Sequence, residues 1–186
     1  MKKILAISDT HLQEDSAVPG PLIDLAKGAD LLLHAGDFVS LGAYEAFRDL
    51  APFEAVSGNS DDPAVAALLP QRRVVEVEDV RIGLVHRAAF SADLLGADLL
   101  AREMEVDALV FGHLHRPVLE ARDRLLICPG SPTEPRLSPP SVAVLEVEGR
   151  RVLGRIVPLG RPVCGYFRFA EALSERSVRE EHEKTI

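Results

Sequence analysis

Short apolar runs broken by polar residues dominate the first two thirds of the chain: Ile4–Ile7, Leu31–Leu33, Phe53–Val56, Val80–Val85 and Val106–Phe111. Each has strand length and is close to continuously apolar, the pattern of strands covered on both faces. Between the first three, Pro21–Lys27 reads as a helix with proline in its first turn, Leu41–Leu50 as a second helix and Pro63–Leu69 as a short third. This βαβαβ rhythm predicts a largely parallel sheet with helices outside it.

The second half has a different rhythm. Arg73–Glu78 and Val80–Val85 flank Asp79 as the strands of a tight hairpin. Ala92–Glu103 carries Leu94, Leu95, Leu99 and Leu100 at helical spacing and predicts an amphipathic helix. Three more strand-like runs follow Val106–Phe111: Val118–Ala121, Leu125–Ile127 and Ser141–Glu148. The last pairs with Arg151–Val157 across Glu148-Gly149-Arg150. Parallel units followed by hairpins predict an α/β fold of two stacked mixed sheets covered by helices on both sides. Residues 1–168 read as one domain, and the charged stretch 169–186 as a surface helix or fraying tail. No internal repeat or linker interrupts the domain.

Polar islands follow the apolar runs: Asp9-Thr10-His11, Gly36-Asp37, Gly58-Asn59, His86 and Gly112-His113-Leu114-His115. If the runs are strands of a parallel arrangement, their carboxyl ends bring all five islands to one rim, where open α/β sheets bind ligands. Side chains two apart in a chain leaving a strand share a face, so Asp9 with His11, and His113 with His115, can each reach one ion. Gly36 allows a sharp turn that swings Asp37 over its strand end. A carboxylate has two oxygens and can bridge two cations, which an imidazole cannot. Taken singly, each island has an ordinary explanation: a turn aspartate, a surface histidine, a Gly-Asn turn. Together they make a set of mixed nitrogen and oxygen ligands suited to a pair of transition-metal ions of the kind that hydrolyse phosphate esters. Mn is the first choice for such a set, with Fe, Co, Ni and Zn as alternatives. His34 lies inside its strand and reads as a buried supporting residue, donating a hydrogen bond to a ligand or a nearby carbonyl. His182 reads as solvated.

Composition narrows the field. A net charge of −8 argues against a broad basic surface for long nucleic acid, and the chain has no Trp and two Tyr to interleave with basic residues. Cys128 and Cys164 follow no metal or redox spacing, which suits a reducing compartment. The apolar run at the N-terminus is too short for a signal peptide, and no stretch approaches a membrane span. The expectation is a cytoplasmic protein with no membrane partner; assembly as a homo-oligomer is open.

The islands resemble, in order, the D-x-H, G-D, G-N, H and G-H-x-H motifs of the calcineurin-like metallophosphoesterases, over Asp9 to His115. The match extends to Cys128-Pro129-Gly130-Ser131-Pro132-Thr133-Glu134-Pro135-Arg136, which looks like the N-P-G-S segment of that family. The short length and lack of inserted caps resemble the small prokaryotic phosphodiesterase branch, which shares its fold with the retromer scaffold subunit. The resemblance implies a four-layer α-β-β-α sandwich (the metallophosphatase fold) and a dinuclear centre. By position, Asp9, His11, Asp37 and His115 would hold the first ion, and Asp37, Asn59, His86 and His113 the second. Asp37, Asn59 and His113 become the candidate catalytic residues, and Asn59 and Arg87 the candidate substrate-binding ones.

Two departures from the pattern bear on chemistry. Many members carry His after G-N, where it protonates the leaving group; here the position is Ser60, followed by Asp61 and Asp62. His86 is followed by Arg87 where Gly is usual. A phosphate clamp, a narrowed mouth and a solvent-facing side chain all fit Arg87. The resulting expectation is a metal-dependent phosphodiesterase acting on small phosphodiesters or nucleotides. The rivals are a non-catalytic scaffold on the same fold, a phosphomonoesterase and a nuclease. Loops around 13–19, 87–90 and 131–136 would set substrate choice.

Overall fold

The computed structural model describes residues 1–88 and 94–161. The elements run in the order β1 (Lys2–Ile7), α1 (Gly20–Lys27), β2 (Leu31–His34), α2 (Leu41–Arg48), β3 (Phe53–Ala55), α3 (Pro63–Leu68) and β4 (Arg72–Val77). They continue as β5 (Val80–Val85), α4 (Leu95–Glu103), β6 (Ala108–Phe111), β7 (Pro117–Ala121), β8 (Leu125–Pro129), β9 (Ser141–Glu148) and β10 (Arg151–Pro158). The tail expected at 169–186 and the first residues of the helix expected at Ala92 lie outside the described residues.

Two five-stranded mixed sheets form, ordered β10-β9-β1-β2-β3 and β4-β5-β6-β8-β7. In the first, β1, β2 and β3 are parallel and β9 and β10 antiparallel. In the second, β5, β6 and β8 are parallel, with antiparallel strands at both edges. Alternation along the strands sorts the apolar side chains into three layers. Ile4, Ala6, Ile82, Leu84, Val110 and Ala143 face the gap between the sheets. Leu5, Ile7 and Leu32 face the opposite way, onto Leu22 of α1 and Phe47 of α2. Leu109, Phe111 and Leu126 form a third layer against Ala97 and Ala101 of α4. The order helix, sheet, sheet, helix is the expected sandwich.

Element ends differ from expectation by a few residues, for local reasons. The helix from Leu41 closes at Arg48, because the Asp49 and Leu50 amides turn back onto the Glu45 and Phe47 carbonyls. Val106 precedes β6 because its amide is committed to the Ala101 carbonyl at the end of α4. The rim that matters is formed by the carboxyl ends of β1, β2, β3, β5, β6 and β8. Backbone bonds tie these loops together: Asp9 N–H donates to the Gly36 carbonyl, His11 N–H to that of Asp37 and Gly112 N–H to that of His86.

Candidate metal centre

All five islands meet at this rim. The ligand atoms of Asp9, His11, Asp37 and His115 lie within 4.8 Å of one another. Asp37 is the hinge of the cluster: its Oδ2 is 3.3 Å from His11 Nε2 and 3.4 Å from His86 Nε2. His86 Nε2 in turn stands 3.0 Å from Asn59 Oδ1, and the His86 and His113 rings meet edge to face at 5.4 Å. His115 Nε2 approaches Asp9 Oδ1 at 3.6 Å. Arg87 reaches over Asn59, its Nη2 donating to Oδ1 at 3.1 Å.

The backbone is bent to make this possible. Asp9, His11, Asp37, His113 and His115 all have positive φ, between 45° and 73°. Non-glycine residues seldom adopt this region, and strain of this kind collects where the surroundings over-determine a functional geometry. Gly58 is the most constrained position beside them, since a Cβ there would collide with the Asp37 carboxylate and amide.

The donor set fits divalent ions. His86 Nδ1 is 2.8 Å from the Ala35 carbonyl and His115 Nδ1 is 2.7 Å from that of Glu134. A carbonyl only accepts, so each Nδ1 carries a proton and Nε2 is the atom each ring can offer to a cation, the arrangement metal-binding histidines use. His11 Nε2 is buried, faces Asp37 without hydrogen-bond geometry and has no hydrogen-bond partner. A buried orphan of this type calls for an explanation, and a cation supplies one.

Charge and burial oppose each other here. Burial raises the Asp37 carboxyl, but the imidazoles of His11 and His86 outweigh it and hold the group well below the usual carboxylate range. The Asp37 carboxylate, 3.3 Å from His11 Nε2, raises the His11 imidazole against its desolvation. His86 is desolvated too, yet Asp37 lifts it above the usual imidazole range. Asp9 is raised by burial despite the histidines around it. Burial, with Arg87 nearby, lowers His113.

His34 is fully buried and stacked on Phe38. The Gly36 amide donates to its Nδ1 at 3.1 Å, so Nε2 carries the proton and donates to Thr10 Oγ1, whose hydroxyl continues to the Asp37 carbonyl. The support expected of His34 is thus delivered through Thr10.

Sequence reasoning passed over several supporting residues. Asp61 takes the amides of Phe38 at 2.6 Å, Val39 at 3.0 Å and Gly58 at 2.6 Å, sewing the Asp37 and Asn59 loops together. Ser60 donates its amide and hydroxyl to the two oxygens of Asp37. The Ser131 hydroxyl donates to the Asp9 carbonyl and accepts from the amides of Thr133 and Glu134, and Thr133 donates to the Thr10 carbonyl. One signal was available: an acid three residues after Gly58 can reach back to its amide as in a capping box. The contacts of Ser131 and Thr133 span more than a hundred residues, so the family-like segment that holds them could be noticed but its partners could not.

Comparison with known proteins agrees with this geometry. Residues 1–150 match the model of the calcineurin-like phosphoesterase superfamily domain. A probable metallophosphoesterase of Methanothermobacter thermautotrophicus is 38% identical over 166 residues, covering 88% of this chain and 96% of the relative. The chain belongs to the calcineurin-like phosphoesterase superfamily. A second member, a probable metallophosphoesterase of Methanocaldococcus jannaschii, is 36% identical over 157 residues and aligns with 82% of this chain and 79% of its own length. Among solved structures, a Thermotoga maritima protein is 30% identical with a TM-score of 0.65, covering 86% of this chain and all of that one. Vacuolar protein sorting 29 from Cryptosporidium parvum reaches a TM-score of 0.74 over 86% of this chain and 92% of its own, at 23% identity, a likeness of fold. Among the described residues no helix is long and apolar enough to cross a membrane.

Proposed function

We propose that this calcineurin-like phosphoesterase is a phosphodiesterase that hydrolyses small phosphodiesters or nucleotides at a two-ion centre. Asp9, His11, Asp37 and His115 would hold one divalent ion and Asp37, Asn59, His86 and His113 the other, with Mn the first choice and Fe, Co, Ni or Zn the alternatives. The observation that carries the reading is Asp37 Oδ2, within 3.4 Å of an imidazole nitrogen from each half of the set. When bound, such a pair supplies Lewis acidity and a water acidified enough to give hydroxide near neutral pH.

The remaining roles belong to the chain. Asn59 donates one amide N–H to the Ser60 hydroxyl at 3.1 Å and offers the other to a non-bridging phosphate oxygen, and the Arg87 guanidinium above it adds a fork matched to phosphate. Ser60 does not replace the missing acid, because its hydroxyl is spent on Asp37. The leaving group therefore departs without a side-chain proton donor at this position, which favours esters of acidic alcohols and phenols. The exposed Glu134 carboxylate, 3.9 Å from His11 Nδ1, stands at the mouth and disfavours a doubly charged monoester relative to a singly charged diester. The scaffold alternative gains no support from the rim, where all seven positions keep coordinating side chains. A cytoplasmic location and small-molecule substrates remain part of this reading.

The test is hydrolysis of bis-p-nitrophenyl phosphate and of p-nitrophenyl phosphate by metal-stripped protein, before and after adding Mn²⁺. Turnover of the diester that appears only with metal and exceeds that of the monoester is the expected result. Metal uptake without turnover of either ester would overturn the proposal in favour of a scaffold.

A further inference from the structure

We infer that the cleft beside Asn59 and His86 is a subsite for a second anionic group on the substrate, with Arg72 as its specificity-determining residue. The inference rests on the phosphodiesterase reading, in that the scissile phosphate occupies the neighbouring rim. The cleft encloses about 340 Å³ and is walled by Asn59, His86 and Arg87 together with Gln71 and Arg72. That volume suits a sugar or nucleoside arm better than a lone ion. Among the described residues, two arginines and no carboxylate line it, in a chain whose net charge is −8. A concave site of one sign in an oppositely charged protein concentrates a ligand of the overall sign, here an anion.

The register of the sheet separates the roles of the two arginines. Arg72 opens β4 opposite Val85, the residue before His86, so it stands one strand away from the centre, about 5 Å across the sheet. Arg87 is tied to Asn59, whereas Arg72 stands on the neighbouring strand β4. A phosphate seated on Arg72 therefore belongs to another part of the substrate. The chemical class is a phosphodiester with a further phosphate on one arm, as in a short oligonucleotide with a terminal phosphate. In the structure Arg72 Nη1 donates to Glu103 Oε1 at 2.8 Å, with both side chains more than half exposed. Exposed pairs of this kind contribute little, and a phosphate that accepts a two-pronged guanidinium contact displaces the carboxylate. Gln71 adds an amide donor beside it.

Titration calorimetry on metal-stripped protein, comparing the dinucleotide thymidylyl-(3′→5′)-thymidine carrying a 5′-phosphate with the same dinucleotide lacking it, tests the subsite without any turnover. The 5′-phosphorylated dinucleotide is expected to bind about tenfold more tightly, the scale of one charge-assisted contact. Arg72→Gln should bring the ratio to about one, and Glu103→Gln, which frees Arg72, should raise it. Equal affinities in the wild type, or a preference that survives Arg72→Gln, would overturn the subsite. Failure to hydrolyse bis-p-nitrophenyl phosphate with metal would instead overturn the reading on which it rests, so the two failures are separable.

Discussion

Gly58 lies directly against the Asp37 carboxylate, with room for a hydrogen and nothing larger. The two residues come from neighbouring parallel strands, β2 and β3, whose loops interlock: a Cβ at Gly36 would likewise lie 2.7 Å from the Gly58 nitrogen. Gly58→Ala must therefore move Asp37 or its loop. A displacement on the order of 1 Å at a catalytic group lowers turnover by about 100-fold. The overpacking itself costs about 1–3 kcal/mol. Kinetics with bis-p-nitrophenyl phosphate, alongside metal content and circular dichroism, check this. Wild-type turnover in a folded Gly58→Ala protein would show that the close contact is not functional.

Asp61 is the second point at which the two loops depend on one side chain. Its carboxylate receives three backbone amides, from Phe38, Val39 and Gly58. Removing it strands three donors in a partly buried place, where each costs about 1–3 kcal/mol when left unsatisfied and water recovers part of that. Asp61→Ala is expected to cost roughly 2–4 kcal/mol, a fall of about 5–15 °C in Tm for a domain of this size. Asp62→Ala is the control next door. It removes only the N-cap of α3, where Asp62 Oδ1 accepts from the Val65 amide at 2.9 Å, and should cost about 1 kcal/mol. Equal losses in thermal melts of the two variants would contradict the loop-tying role.

The contrast between these two aspartates shows what was legible in the sequence. The strands were visible because burial on both faces writes a continuous apolar run, and the ligand islands because parallel strands all end at one rim. The place of Asp37 over its strand end could be read from the glycine before it. The duty of Asp61 could not, since two of its three partners lie more than twenty residues earlier, in a loop whose path depends on the fold. The same holds for Ser131, whose hydroxyl reaches the Asp9 carbonyl across 122 positions. His34 was expected to donate directly to a ligand or a carbonyl; its relay through Thr10 became visible only when β1 and β2 stood side by side, Ile7 opposite His34.

His34 also makes a pH-dependent contribution with a definite sign. Burial, reinforced by the nearby charge of His86, holds its pKa well below the ordinary imidazole value of 6.5. The unfolded chain therefore binds a proton that the folded chain refuses. Stability associated with His34 is fully present above about pH 6.5 and is lost as pH falls below it, at up to about 1.4 kcal/mol per pH unit. Gln has an amide that can donate to Thr10 and never titrates. His34→Gln should thus flatten the slope of unfolding free energy against pH between roughly 5 and 6. Urea melts of the metal-free proteins at a series of pH values measure it; parallel slopes would mean that His34 does not remain neutral in the fold.

The decisive substitution is at Asp37, because it separates one ion from two. If its carboxylate is shared, Asp37→Ala removes a ligand from both halves of the centre at once and should abolish turnover while lowering affinity for both ions. His115→Ala and His86→Ala should each weaken one half, since His115 approaches Asp9 and His86 approaches Asn59. Losing one imidazole typically leaves the rest of a divalent site able to bind more weakly, so these variants should retain about one tight ion per chain. Elemental analysis after dialysis against Mn²⁺, with competition titrations for affinity, gives the stoichiometry directly. Two ions in the wild type, one in each histidine variant and none held tightly in Asp37→Ala is the expected series. One ion throughout would place the chemistry at the Asp9, His11, Asp37 and His115 cluster alone. Asn59, His86 and His113 would then serve the phosphate rather than a metal.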